Sequence, residues 1–305
     1  MLPRIVLTPG DPTGIGPEIA AKACTQSLLE RADITILGDA PAIRGAFHRW
    51  ATIDYLPTLI DTSAGTSEFD VAPEATAIRM AVEGCLSRKF DALVTGPINK
   101  TRLMKKGFPY PGHTQYLAAL TNSSQPVMSF VSQNLRVSLV TDHVPLQTVS
   151  HHLSVENILQ TIVTAHETLR ERYQIPEPQI AVCGLNPHAG ESGRLGSEEI
   201  SIIGPAIKKA TERGICASGP HAADSIFSAA LNGKYDLVVA LYHDQGLIPI
   251  KLLGLGSSVH VTFGLPIVRT SVDHGTAYDI AGEGIANAAG MIGAIDEAIR
   301  QVSQP

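Results

Sequence analysis

The chain has 305 residues, 44% of them hydrophobic and 17% charged, enough to bury a large core in one long domain or two ordinary ones. A formal net charge of -6 gives no basic footprint for nucleic acid or an anionic membrane, so anionic ligands must be met by local groups. No apolar run approaches the roughly 20 residues needed to span a bilayer, and Met1-Leu2-Pro3-Arg4 opens no signal peptide. In chain order, apolar runs predict strands at Arg4–Thr8, Ile34–Leu37, Ala92–Thr95, Val137–Thr141, Gln179–Cys183, Asp236–Leu241 and Ser258–Phe263. Helices are predicted at Pro17–Ala23, Pro73–Ser87, Thr114–Thr121, Val155–Tyr173, Ser197–Arg213, Ser225–Asn232 and Ala289–Val302. This alternation means an α/β protein with mostly parallel sheets flanked by helices. The connector Asn122–Val127 reads as a domain boundary. Four scattered cysteines, Cys24, Cys85, Cys183 and Cys216, form no C-x-x-C pair and fit a reduced, cytoplasmic protein.

The unusual polar clusters follow predicted strands directly. They are Gly10–Glu18, Thr95–Lys100, Thr141-Asp142-His143, Gly184–His188 and Tyr242–Gly246. In open α/β sheets ligands bind beyond the carboxyl ends of the strands, so five such clusters outline the rim of one active site.

His143, His188 and His243 share that topological position, and His143 and His243 each have an aspartate beside them, Asp142 and Asp244. Three imidazoles with an open position suit a divalent ion acting as Lewis acid, zinc ahead of magnesium, manganese or cobalt. The spacing matches no local metal motif, and any one histidine alone reads first as a hydrogen-bonded loop residue.

Gly112-His113-Thr114 opens a predicted helix, where free amides and the dipole favour an anion. Lys251 and Arg269, each at the edge of a strand-rich segment, are candidates for phosphate or carboxylate, or else ordinary solvated cations. Gly10–Gly16 resembles a nucleotide loop, but Ile19 stands where G-x-G-x-x-G needs its third glycine, so the Rossmann fingerprint is absent. The loop Asp273–Gly282 leaves room for a flat ring to approach the backbone, although from its residues alone it reads first as a helix-capping turn.

Together these segments resemble the 4-hydroxythreonine-4-phosphate dehydrogenase family of vitamin B6 biosynthesis, over Leu7 to about Gly290. The motifs are Thr8–Ile19, Thr95–Lys100, Gly112–Ala118, His143–Leu146, Cys183–Glu191, Ala223-Asp224-Ser225, Tyr242–Lys251 and Gly264–Gly282. Gly10–Glu18 and His274–Gly282 are also similar to segments of isopropylmalate and isocitrate dehydrogenases. The resemblance implies their two-domain fold with an active site in the interdomain cleft. A first domain would take 1–125 plus roughly 264–305. A second, 126–263, would carry the metal ligands and the dimer interface. It further implies a homodimer with a shared active site, metal ligands His143, His188 and His243 (the last from the partner subunit), and substrate contacts at His113, Thr114, Lys251 and Arg269. NAD or NADP would lie against His274, Gly275, Ala277 and Asp279. A further family substrate position, usually asparagine, is His260 here; Gly193-Arg194 replaces Gly-His, and Ala222-Ala223-Asp224 replaces Pro-Ala-Asp.

The implied reaction is NAD(P)-linked, metal-dependent oxidation of 4-phosphohydroxy-L-threonine to 2-amino-3-oxo-4-phosphobutanoate, which decarboxylates to 3-amino-2-oxopropyl phosphate. Asp224, Asp244 and Lys251 are candidates for the catalytic base. The departures around the substrate keep open oxidation of D-threonate or D-erythronate 4-phosphate. From other classes, a metal-dependent hydrolase without nucleotide leaves His274–Gly282 unused, and a silent ligand-binding relative leaves the three histidines unused. Neither nucleic acid nor membrane is an expected partner.

Overall fold

A computed structural model describes residues 1–64, 71–254, 256 and 258–303. The chain runs β1 (Arg4–Thr8), α1 (Gly16–Ala23), α2 (Gln26–Leu29), β2 (Asp33–Gly38), α3 (Ala40–Trp50), β3 (Thr58–Asp61), α4 (Pro73–Leu86), β4 (Ala92–Thr95), α5 (Lys100–Lys105) and α6 (His113–Thr121). It continues through β5 (Val127–Ser132), β6 (Leu135–Leu139), α7 (Val149–His152), α8 (Val155–Arg172), β7 (Ile180–Cys183), α9 (Gly204–Glu212), β8 (Ala217–His221), α10 (Ala223–Leu231), β9 (Leu237–Ala240), α11 (His243–Leu253) and β10 (Val259–Phe263). It closes with β11 (Val268–Val272) and α12 (Ala289–Val302). These elements form two compact units, Met1–Ser124 with Leu265–Pro305, and Gln125–Gly264.

In the first unit the strands lie parallel in the order β3-β2-β1-β4-β11. All four residues of β4 are buried, as are the last four of β1, because helices cover both faces. That is why these strands read as unbroken apolar runs rather than as alternation. Pro73 opens α4, where a missing amide costs nothing. Its small and branched face, Ala75, Ile78, Ala81 and Val82, packs with Val6, Leu37 and Leu93. Each such branched side chain contributes about 1.5–3 kcal/mol by leaving water. α12 packs against β11, β4 and β1 through buried Met291, Ala294, Ile295 and Ala298, the i, i+3, i+4, i+7 spacing of a helix face.

The second unit has the order β10-β5-β6-β9-β7-β8, antiparallel for the first two pairings and parallel for the rest. β5 and β6 form a hairpin across Gln133 and Asn134, with Gln133 at φ 51° in the left-handed region such turns use. α8 starts at a reciprocal cap: Ser154 Oγ accepts from the Asn157 amide and Asn157 Oδ1 accepts from the Ser154 amide.

Three local expectations change. The helix expected over Ser197–Arg213 is a π turn, Glu199–Ile203, followed by α9, with Pro205 beside the break because it lacks the N–H that a continuous ladder needs. Lys251 is not at a strand edge: it is exposed in the last turn of α11, which accommodates Pro249 in its interior. β8 escapes sequence patterning because Gly219 and Pro220 interrupt it, which an edge strand tolerates. Among the described residues no helix is long and apolar enough to cross a membrane.

Candidate functional site

The chemistry-bearing residues of the first unit gather at the carboxyl ends of β1, β4 and β11. Gly10, at φ 89°, lets the loop after β1 close on the loop after β4: a Cβ there would lie 2.1 Å from the Pro97 carbonyl oxygen. The Asp11 amide donates to that same oxygen at 2.9 Å. β11 pairs with β4 so that Ser271 stands opposite Thr95, and Thr95 Oγ1 accepts from Arg269 Nη2 at 2.8 Å and from Nε at 3.2 Å.

Arg269 is 1% exposed, and burial pushes its pKa down to about 9. At neutral pH it still carries its charge, in a setting that rewards an anion. His113, the first residue of α6, has a buried Nε2 with no hydrogen-bond partner among the described residues. Burial, then the charges of Arg269 and Lys100, hold its imidazole well below the usual pKa, so the ring is neutral. Lys100 closes the same corner, with Nζ 3.6 Å from where a Cβ on Gly112 would sit. Two cations, one neutral imidazole with an unmet nitrogen, and the free amides of a helix start are the donor set a phosphate group requires. Thr114 is half-buried in the same first turn. The structure brings His113, Thr114 and Arg269, expected from the sequence as substrate contacts, beside Lys100, which the sequence reading did not single out although its motif ended there.

The loop after β11 carries His274, Gly275, Ala277 and Asp279. His274 and Asp279 are exposed, and a Cβ on Gly275 would meet nothing within 4 Å. The backbone there is open to a flat ligand. Behind it, Glu18 is 1% exposed and accepts from Lys22 at 2.7 Å and from the Ala286 amide at 2.8 Å. Lys22 in turn donates to the carbonyls of Gly284 and Ala286 at 2.8 and 2.9 Å. The acidic residue of the Gly10–Glu18 motif therefore anchors the segment that follows the loop.

In the second unit Thr141 Oγ1 donates to the Leu241 carbonyl at 2.7 Å, tying the ends of β6 and β9. This brings the His143 and His243 rings to 5.7 Å, centroid to centroid, with planes 38° apart. His243 Nδ1 lies 2.7 Å from Asp244 Oδ1, and His143 Nδ1 lies 3.7 Å from Asp142 Oδ2. Gln245 locks the neighbouring strand ends, accepting from the Leu241 amide at 2.7 Å and donating to the Gly184 carbonyl at 2.8 Å.

His188 lies on an unusual backbone. Residues 188–192 all have positive φ, at 53°, 52°, 76°, 44° and 58°. Four of the five are not glycine, a conformation costing about 1–2 kcal/mol each. The turn is held by Glu199, 5% exposed, which accepts from the Asn186 amide at 2.7 Å and from Asn186 Nδ2 at 3.0 Å. Strain of this kind is found where a structure must aim a functional group.

For a metal ion the donor chemistry fits in part. Two imidazoles, each beside a carboxylate, face one another, while no group of three or more His, Cys, Asp or Glu side chains able to hold an ion occurs among the described residues. Asp224, in the first turn of α10, and Asp244 are exposed, as is Lys251. His260 lies in β10 with its ring stacked on Phe130 at 5.1 Å.

The family model described as pyridoxal phosphate biosynthetic protein PdxA matches residues 20–298. The 4-hydroxythreonine-4-phosphate dehydrogenase of Desulforapulum autotrophicum is 41% identical, over 99% of this chain and 96% of its own. A protein of Oceanobacillus iheyensis described as a D-threonate 4-phosphate dehydrogenase is 42% identical, over 97% of each. The crystal structure of 4-hydroxythreonine-4-phosphate dehydrogenase from Klebsiella pneumoniae superposes with a TM-score of 0.87 at 37% identity, covering 99% of both chains. Matches of this length and identity mean that the chain belongs to the PdxA family.

Proposed function

We propose that the protein is an NAD(P)-linked dehydrogenase of 4-phosphohydroxy-L-threonine. The observation that carries this reading is the corner at the start of α6, where buried Arg269 and His113 meet exposed Lys100, a receptor for a phosphate monoester. Phosphate held there fixes one end of the substrate. A base takes the proton from the secondary hydroxyl as the carbinol carbon gives up hydride. Asp224, Asp244 and Lys251 are the candidates, each exposed and near a strand end or helix terminus of the second unit. When bound, the nicotinamide supplies the hydride acceptor and a divalent ion, zinc by the donor set, supplies Lewis acidity at the reacting oxygen. The ketone so formed lies β to the carboxylate, so loss of CO2 follows and yields 3-amino-2-oxopropyl phosphate.

His143 and His188 of one subunit and His243 of a second copy would hold the ion. Leu146, Ile200, Ile248 and Leu252 of the second unit are exposed apolar side chains that a homodimer interface would cover. His274, Gly275, Ala277 and Asp279 would take the adenine end of the cofactor. We place the enzyme in the cytoplasm on its buried free thiols: burial pushes Cys24, Cys85 and Cys183 up to about 12.

A second reading, oxidation of D-threonate or D-erythronate 4-phosphate, is favoured by His260 stacked on Phe130, by Arg194, and by the similarity to the Oceanobacillus protein. The test is formation of reduced nicotinamide by metal-loaded protein with each of the three phosphorylated acids. Fast turnover of the amino acid supports the first reading. Preference for a sugar acid replaces it with the second. No turnover of any of them overturns both.

A further inference from the structure

The loop Asp273–Gly282 is docked on a buried charged network. The Ile15 amide donates to the Thr276 carbonyl at 3.0 Å, and Gly14 permits the approach, since a Cβ there would lie 2.8 Å from that oxygen. The Tyr278 hydroxyl donates to Asp11 Oδ2 at 2.5 Å and accepts from Asn99 Nδ2 at 2.8 Å. Asp11 is wholly buried. Its Oδ1 accepts from the Thr13 amide at 2.9 Å and the Thr13 hydroxyl at 2.7 Å, and lies 3.0 Å from Arg102 Nη2. Arg102 also bonds Glu74, which is 1% exposed. The tip of Tyr278 is thus fixed to a fully buried carboxylate while the residue remains 44% exposed. A ring with its polar end tied and the rest in water is ordered in advance of any ligand.

We propose that Tyr278, pinned by Asp11 and Asn99, is a positioning residue that holds the loop in shape for the adenine end of a nicotinamide dinucleotide. The proposal rests on reading Asp273–Gly282 as the cofactor loop. A bond to a buried carboxylate is stronger than one between neutral groups, and the loop amides reach their bound positions without further loss of freedom. The loops after β1, β4 and β11 then act together, with Asp11 as the common acceptor.

Tyr278→Phe keeps the ring and removes both hydroxyl bonds. By calorimetric titration with NAD, its Kd is expected to rise about tenfold. The substrate KM and the turnover at saturating NAD should stay within about twofold, and the thermal midpoint should fall only modestly, by the loss of one bond to Asp11. Asn99→Asp retains the acceptor that caps α5 through the Arg102 amide at 2.8 Å but loses the donor to Tyr278, so a rise of about threefold is expected. NAD affinity unchanged in both variants overturns the proposal, as does an equal loss in substrate KM, NAD affinity and thermal midpoint, which would mark a purely structural contact. Wild-type protein that takes up no NAD at all would sink the cofactor loop, and this proposal with it.

Discussion

The strand ends of the two units are prepared to different degrees. In the first unit Asp11, Glu18, Glu74 and Arg269 are all at or below 1% exposed and already bonded to neighbouring loops. In the second, the His143 side chain is 61% exposed and that of Asp244 73%, and the three strand-end histidines do not converge among the described residues of one chain. Burying a charge without compensation is expensive, so the first unit must complete its network during folding. Exposed imidazoles and carboxylates carry no such penalty and can wait for an ion or a second copy. One region is a completed network of buried charges and the other leaves its ionisable side chains open to water.

The largest expected effect tests the second unit. His188→Ala should lower turnover by more than about 100-fold and remove bound metal, read by elemental analysis per folded chain. Near-normal turnover in that variant would break the assignment of the three histidines to one site. Arg269→Ala probes the first unit. A charge-assisted contact of about 1.5–3 kcal/mol corresponds to a substrate KM higher by roughly 10- to 150-fold, with NAD affinity unchanged. If the NAD affinity alone moved, Arg269 would belong to the cofactor.

Glu18→Ala should lower stability by about 2–3 kcal/mol in urea unfolding, because it leaves Lys22 and the Ala286 amide without their buried acceptor. A loss below about 0.5 kcal/mol would show that the network is not completed by folding.

The smallest effect is in pH. His113 has its folded pKa depressed, so protons bind more readily to the unfolded chain. Its neutral ring is accommodated fully above the unfolded value of about 6.5, and stability falls as pH drops through that value towards the folded pKa. The urea midpoint of His113→Gln should decline less than wild type between neutral pH and pH 5. Parallel declines would remove His113 from the account.

Much of the architecture was legible because both faces of the central strands are covered. Runs such as Ile5-Val6-Leu7 and Ala92-Leu93-Val94 announce themselves without any alternation. Strands with polar content were not legible: β11 reads Val-Arg-Thr-Ser-Val and is buried throughout, since its polar atoms bond across to Thr95 and to the Ala294 carbonyl within α12. α11 was hidden by Pro249. The site showed the same division. Glycine and histidine clusters after strands are local and visible in one dimension. Lys100, Glu18 and Tyr278 acquire meaning only from partners 12, 268 and 267 residues away, at Gly112, Ala286 and Asp11.

By itself the sequence determined the class of fold, the order of its main elements and the family, because burial periodicity and short motifs are properties of neighbours along the chain. The tertiary structure alone decided which charges are buried together, that residues 188–192 turn left-handed, and that His143 and His243 face each other. Those depend on loops from separate strands meeting within each unit, and no local pattern encodes that meeting.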